Sequence, residues 1–457
     1  MRIEPAKRLR GRLGGLPGDK SVSHRAGLIA ALARGTTRVS NYSTSEDCAA
    51  TLRCLEALGL RLTREGETVT VEGAASSADS LAALRRPDAP LDCGNSGTTM
   101  RLLAGVLAGQ PFETTLTGDS SLSRRPMRRV IEPLELMGAR LGAEDGHAPL
   151  RVEGRRPLNP IAYEMAVASA QVKSCVLLAG LFARGTTRVH EPLAATRDHT
   201  ERMLRWFGVP VESGVAGNIE GAGSEVSSGR VVSVEGGAAL TARDIEVPGD
   251  ISSAAFFVAA AALLPGSALE IAGIGLNPTR AGVLSTLHLL GAEVRAEGVR
   301  ERCNEPVGEI VVRGGGGGRG GLAPREAGAN ILSGPLIAQL IDELPVLAVV
   351  GTQVEGGLEI RDAGELRVKE SDRIGATVRN LRAMGAEVEE FEDGLRVGGP
   401  THLRGARLDA HGDHRIAMAF AVAALAATGA SEIEGARECV GVSFPEFFDL
   451  LESVTER

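Results

Sequence analysis

Aromatic residues are scarce in this chain of 457: ten Phe, two Tyr and one Trp, 3% in all. Few rings are available to stack on bases, and a formal charge of −8 offers no broad basic face, so nucleic acid is not an expected partner. Cysteine is also sparse. Cys48, Cys54, Cys93, Cys175, Cys303 and Cys439 show no C-x-x-C spacing, which argues against a disulfide framework and suits a reducing compartment, with the thiols as small buried apolar groups. Long hydrophobic runs are missing as well. The longest, AAFFVAAAALL at 254–264, falls well short of the ~20 residues that cross a bilayer, and the basic start MRIEPAKRLRGRLGG is followed by no apolar stretch of a secretory signal. The expectation is a soluble, cytoplasmic protein with no membrane partner.

What is present is ordinary globular material, 43% hydrophobic and 24% charged, in a length that suggests two or three domains. It repeats itself. ARGTTRVSNYSTSEDCAATLRCLEALG, from Ala33, and ARGTTRVHEPLAATRDHTERMLRWFG, from Ala183, share their first seven residues and then a helix ending on glycine. Weaker copies follow the same order of turn, short strand, polar loop and helix with a glycine C-cap. Before each lies an apolar helix with a small or polar start: KSVSHRAGLIAAL, GNSGTTMRLLAGVL, ASAQVKSCVLLAGL, GDISSAAFFVAAAALL, SGPLIAQLIDELPVLAVV and GDHRIAMAFAVAALA. The reading is an α/β protein of six βαβαββ repeats, with these helices buried because they are apolar nearly all round and the sheets outside them. The connection TARDIEVPGDIS, 241–252, leaves three repeats on each side. The glycine tract 313–322 reads as a hairpin tip or surface loop.

Chemistry-bearing residues gather where the six helices begin. GGLPGDKSVSHR, 14–25, resembles a nucleotide-binding loop, but Walker A needs glycine directly before the lysine and this chain has Asp19. What survives is a helix start bearing Lys20, Ser21 and Arg25, which favours an anion. Asn95, Ser96, Gly97 and Thr98 open the second helix; Ser169, Gln171 and Lys173 the third; Asp413, His414 and Arg415 the sixth. Two basic loops hold Arg124, Arg125, Arg128 and Arg129, and Arg367, Lys369, Glu370 and Arg373. If the repeats converge, their helix starts and basic loops make an anion-attracting cleft. DAHGDHR, 409–415, and TRDHT, 196–200, hold histidine and aspartate, but adjacent arginines oppose a cation, so no metal is expected.

LPGDKSVSHR, GNSGTTMRLLAG, LTGDSSLSRRPMRRVIEPL, ASAQVKSCVLLAGL, TRDHTERML, IDELPVLAVV, LRVKESDRI and GDHRIAMAFAVAAL, in that order, resemble the enolpyruvylshikimate-phosphate synthase (3-phosphoshikimate 1-carboxyvinyltransferase) family over nearly the whole chain. The resemblance implies two lobes of three repeats, an inside-out α/β barrel arrangement with the active site in the cleft between lobes. It sets the lobes at 19–245 and at 1–18 plus 246–457, the N-terminal strand crossing over to complete the second. It also implies the reaction, transfer of the enolpyruvyl group of phosphoenolpyruvate to the 5-hydroxyl of shikimate 3-phosphate with release of phosphate, in the shikimate pathway to aromatic amino acids. Neither metal nor organic cofactor is called for, and a monomer is expected.

By the same resemblance, Lys20, Ser21, Arg25, Ser169, Ala170, Gln171, Arg197, Asp342 and Lys369 should meet shikimate 3-phosphate. Lys20, Gly97, Arg125, Gln171, Arg373 and Arg415 should meet phosphoenolpyruvate, arginine forks suiting phosphate and carboxylate. Asp342, at the end of a buried helix, matches the family's base; Glu370 is the proton donor to the methylene carbon, and Lys20 assists departure of phosphate. Three positions depart from the common pattern: Val442 stands where many members have lysine, Ala170 is the second serine of an S-S-Q motif, and Arg197 stands where others have serine. These resemble the branch that includes glyphosate-tolerant enzymes, although Gly97 leaves the space that inhibitor needs. Two other readings remain. The sister enzyme that uses UDP-N-acetylglucosamine as acceptor should start K-N-A and carry a loop cysteine, where this chain has K-S-V-S-H-R and Arg124-Arg125. A non-catalytic sugar-phosphate or RNA-end binding module would not need Asp342 and the K-E-S-D-R loop together.

Overall fold

The fold is that of a computed structural model, which describes residues 1–75, 83–215, 229–315 and 321–457; part of the glycine tract 313–322 lies outside them. The chain resolves into two compact units. A middle unit comprises Gly18–Val247 with Arg302–Glu305, and a terminal unit comprises Met1–Pro17, Pro248–Glu301 and Pro306–Arg457.

The middle unit is built around helices Lys20–Leu32, Gly97–Ala108 and Ala170–Gly180, each buried along nearly its whole length. Small residues let them approach closely: a Cβ at Gly105 would lie 2.2 Å from the carbonyl oxygen of Cys175. Three four-stranded sheets surround them on one plan, a short edge strand parallel to its neighbour followed by an antiparallel hairpin. In the second repeat Leu91–Asp92 runs parallel to Glu113–Thr117, which pairs antiparallel with His147–Glu153 and through it with Arg140–Glu144. Glu113–Thr117 buries alternate residues, the pattern of a sheet with one face on a core. The first repeat takes its parallel edge strand from Ile245–Glu246, far along the chain.

The terminal unit repeats the plan around Ile251–Leu263, Leu344–Gly351 and His414–Leu425. Its first sheet borrows from the N-terminus: Arg8–Leu13 lies parallel to Ala268–Gly275. The sixth repeat is completed differently. Arg407–Asp409 runs parallel to Ser431–Glu434, and Arg2–Ile3 supplies the antiparallel partner that a hairpin supplies elsewhere. The scarce aromatics concentrate here, with Phe256, Phe257, Phe444, Phe447 and Phe448 edge to face at centroid distances of 5.2 to 6.2 Å.

Repetition is also visible in the backbone. The second helices of five repeats end at Gly59, Gly138, Gly208, Gly291 and Gly385, all with φ between +88° and +104°, a region glycine enters without steric cost. One element differs from the sequence reading. The apolar run 333–350 is not one helix; it breaks into Pro335–Leu340 and Leu344–Gly351. Pro345 has no N–H to give Ile341, and its ring would clash with that carbonyl, so a new helix starts with the proline in its first turn. Asp342 therefore sits in the break, directly past the C-cap Ile341 of the first short helix and before the N-cap of the second.

Candidate active site

In the middle unit, five residues of the first repeat's opening act locally as a cap and a clamp. Asp19, the residue that rejects Walker A, is the N-cap of Lys20–Leu32, its carboxylate accepting from Val22 N at 3.0 Å. Lys20 is half-buried, with its ammonium 3.8 Å from Asp47. Arg25 is buried and donates from Nε to Thr200 Oγ1 and from Nη2 to Ser174 Oγ, both at 2.7 Å, and from Nη1 to the Ser21 carbonyl at 2.9 Å. Ser174 in turn donates to the Ala170 carbonyl at 2.6 Å. Neighbouring His24 is buried, its Nδ1 2.7 Å from Thr51 Oγ1. Burial first, then Arg25 and Lys20, push its pKa down to about 3, so the imidazole is neutral at physiological pH.

The second and third repeats meet through Gln171. Its Oε1 accepts from Arg101 Nη1 at 2.6 Å and its Nε2 donates to Thr98 Oγ1 at 2.9 Å. Ser96 and Ser169 cap the two helices, accepting from Thr99 N and Val172 N. Gly97 is the first helical residue, and a Cβ there would lie 2.9 Å from Arg101 Nη1 and 3.5 Å from Arg125 Nη1. Arg125 is buried and donates to Asn95 Oδ1 at 2.6 Å. The structure thus connects Ser21, Arg25, Gly97, Arg125, Ala170 and Gln171 through hydrogen bonds and close approach. Half-buried Arg197 lies just before helix His199–Trp206.

The terminal unit holds a different kind of cluster. Buried Arg373 donates from Nε to Asp413 at 2.7 Å and from Nη2 to Glu370 at 2.6 Å, with Nη1 3.5 Å from Asp342. Burial works against its charge, and Asp413, Glu370 and Asp342 together outweigh burial, so its pKa is held above the ordinary arginine value. Arg415 donates to the Asp342 carbonyl at 3.0 Å and places Nε 3.7 Å from its carboxylate. Asp413 is also the N-cap of His414–Leu425, accepting from Arg415 N at 2.9 Å. Lys369 is half-buried, and desolvation lowers its pKa despite the opposing pull of Asp342 and Glu365. Asp342, Lys369, Glu370, Arg373 and Arg415 form one ionic neighbourhood in which carboxylates and cations alternate. Such a group can bind anions and hand protons between acids and bases.

Sequence reasoning missed several partners. Arg101 lies one helical turn after Gly97, on the same face, and Ser174 one turn after Ala170; that spacing could have found both. Thr200, buried Glu343 and Ser252 had no such signal. Ser252 donates to Glu343 and accepts from Arg280 at 2.7 Å, while Glu343 lies 3.9 Å from Arg415. Other basic candidates fall elsewhere. Arg367 fastens Asp372 and Glu390 at 2.8 and 3.0 Å, Arg124 and Arg128 are exposed, and Val442 is exposed on helix Ala436–Ser443. His411 faces Asp409 at 3.2 Å.

A family profile described as EPSP synthase (3-phosphoshikimate 1-carboxyvinyltransferase) matches residues 3–451. The chain belongs to the EPSP synthase family. It is 52% identical over 458 residues, 100% of this chain and 99% of the relative, to a protein of Koribacter versatilis (strain Ellin345) named 3-phosphoshikimate 1-carboxyvinyltransferase. A protein of the same name from Desulforamulus reducens is 49% identical, the match covering 99% of this chain and 98% of that one. The fold agrees with a solved EPSP synthase from Acinetobacter baumannii at TM-score 0.81 and 39% identity, over 99% of this chain and 98% of that one. The EPSP synthase fold therefore carries both clusters, and among the described residues no helix is long and apolar enough to cross a membrane.

Proposed function

We propose that the chain transfers the enolpyruvyl group of phosphoenolpyruvate to the 5-hydroxyl of shikimate 3-phosphate and releases inorganic phosphate. The carrying observation is the EPSP synthase match across residues 3–451; the reading is supported by the cluster of Ser21, Arg25, Gly97, Arg125, Ala170 and Gln171 and by the ionic group of Asp342, Lys369, Glu370, Arg373 and Arg415. Lys20, Ser21, Arg25, Ser169, Ala170, Gln171, Arg197, Asp342 and Lys369 are assigned to the acceptor. Lys20, Gly97, Arg125, Gln171, Arg373 and Arg415 are assigned to the donor. The hydroxyl grip of Thr200 and Ser174 on Arg25 supports its part, because a fixed guanidinium loses little entropy when it takes a phosphate.

Asp342 is assigned as the base. Its carboxylate lies 3.5 Å from Arg373 Nη1 and 3.7 Å from Arg415 Nε, arginines that are also assigned to the anionic donor. In the addition step the acceptor hydroxyl gives its proton to Asp342, its oxygen bonds to C2 of phosphoenolpyruvate, the carbon that bears the phosphate, and Glu370 protonates the methylene. In the elimination step a methyl proton returns to a carboxylate, the double bond re-forms and the C–O bond to phosphate breaks, Lys20 stabilising the departing anion. Glu370 accepts a hydrogen bond from Arg373 at 2.6 Å, so phosphoenolpyruvate that takes up Arg373 would compete with that bond and leave Glu370 available for its proton-transfer role. The proposed working species is a monomer. Six free cysteines support a reducing, cytoplasmic setting. Phosphate release from phosphoenolpyruvate, followed with shikimate 3-phosphate or UDP-N-acetylglucosamine as acceptor, tests the reading. Release is expected with the first only; none with it sinks the proposal.

A further inference from the structure

Behind Arg197, in the middle unit, lies a group of buried charges that no step above uses. Lys173 is on the third central helix, two residues after Gln171, and its side chain is wholly buried. Its ammonium lies 3.1 Å from Glu191 Oε2 and 2.8 Å from Glu201 Oε1, both equally buried, and donates to the Thr196 carbonyl at 3.2 Å. Glu191 Oε1 accepts from Thr196 N at 2.9 Å and from Thr196 Oγ1 at 2.5 Å. Every polar atom of Thr196 is thereby held, and Thr196 is the residue before Arg197.

Taking an ammonium and two carboxylates out of water costs more than packing apolar side chains of the same volume, so such a group is a poor device for stability alone. It can do what an apolar core cannot, which is to fix one peptide by directed bonds. Resting on the assignment of Arg197 to the acceptor, we propose that Lys173 and Glu191 are positioning residues. They anchor Thr196 so that Arg197 departs from a fixed point relative to Ser169 and Gln171, which share the helix of Lys173. The arrangement spares Arg197 the entropy of ordering its own loop when shikimate 3-phosphate binds.

The test compares Lys173→Met, Thr196→Val, Thr196→Ser and Arg197→Ala by shikimate 3-phosphate affinity, by KM for each substrate and by kcat. Thr196→Val should weaken shikimate 3-phosphate binding about tenfold, the scale of one lost charge-assisted hydrogen bond, with KM for phosphoenolpyruvate nearly unchanged. Thr196→Ser, which keeps the hydroxyl, should restore the affinity. Lys173→Met should weaken binding at least as much; if it does not fold, the Thr196 pair decides. Equal acceptor affinity in Thr196→Val and Thr196→Ser, beside a weakened Arg197→Ala, overturns the positioning role alone. Unchanged affinity in Arg197→Ala overturns the assignment of Arg197 and the proposal with it.

Discussion

At Gly97 a methyl group would lie 2.9 Å from Arg101 Nη1 and 3.5 Å from Arg125 Nη1. Both contacts are the far ends of flexible side chains, so the helix tolerates alanine while the guanidinium groups shift. Gly97→Ala is therefore expected to fold normally and to raise KM for phosphoenolpyruvate by roughly 10- to 100-fold, the cost of a displacement near one ångström, with a smaller change for shikimate 3-phosphate. Lys369 gives a second residue-scale expectation. Desolvation lowers its pKa, so in the free protein its ammonium is lost at a pH below that of an ordinary lysine. Since kcat/KM reports the free enzyme, its alkaline fall should begin correspondingly early, and Lys369→Arg, which stays charged, should move that limb to higher pH. An unmoved limb would assign it to another group. The sequence exposed Gly97 and Lys369 by their motifs. It did not expose Thr200 or Glu343, because their place in the clusters comes from what they touch across helices and not from their neighbours in the chain.

Among the elements, the central helices were the most legible: all-round apolar character dictates burial, and Asp19, Ser96, Ser169, Asp250 and Asp413 each cap their helix with a side-chain bond. The break before Leu344 was not, because the apolar run continues through it and only Pro345 marks the stop. That break matters to chemistry, since Asp342 lies in it. Helix packing supplies a test of the buried centre. A Cβ at Gly105 would meet Cys175 O at 2.2 Å, and backbone cannot move aside as a side chain can. Gly105→Ala should destabilise the middle unit by about 1–3 kcal/mol, the range for overpacking, seen as a lower denaturation midpoint. A Gly105→Ala protein as stable as the parent would mean the two helices do not approach in this way.

Across the whole molecule, the six-fold repetition was readable from ARGTTRV and from the glycine-terminated helices, whereas the exchange of strands was not readable from composition or period. Ile245–Glu246 joins the first sheet of the middle unit, and Arg8–Leu13 joins the first sheet of the terminal unit. Such pairings are set by where the chain returns, which local pattern does not encode. An asymmetry follows. A fragment of residues 18–247 retains its three central helices and all the described strands of its sheets, losing the contacts of residues 302–305, among them Glu305 with His199 at 2.7 Å and Asn304 with Arg202 at 2.9 and 3.2 Å, and should unfold cooperatively by itself. Residues 248–457 lack Arg2–Ile3 and Arg8–Leu13, and with them buried Leu9 and Leu13, and should not fold unless residues 1–17 are supplied. Hydrogen exchange on the two fragments reads the difference directly.

Enolpyruvyl transfer itself is most directly seen by phosphorus and proton NMR of phosphoenolpyruvate and shikimate 3-phosphate with the protein in deuterated water. The expected result is stoichiometric conversion of phosphoenolpyruvate into inorganic phosphate and an enol ether of shikimate 3-phosphate, with solvent deuterium entering the methylene. It is contradicted if phosphoenolpyruvate persists, or if phosphate appears with pyruvate and no enol ether.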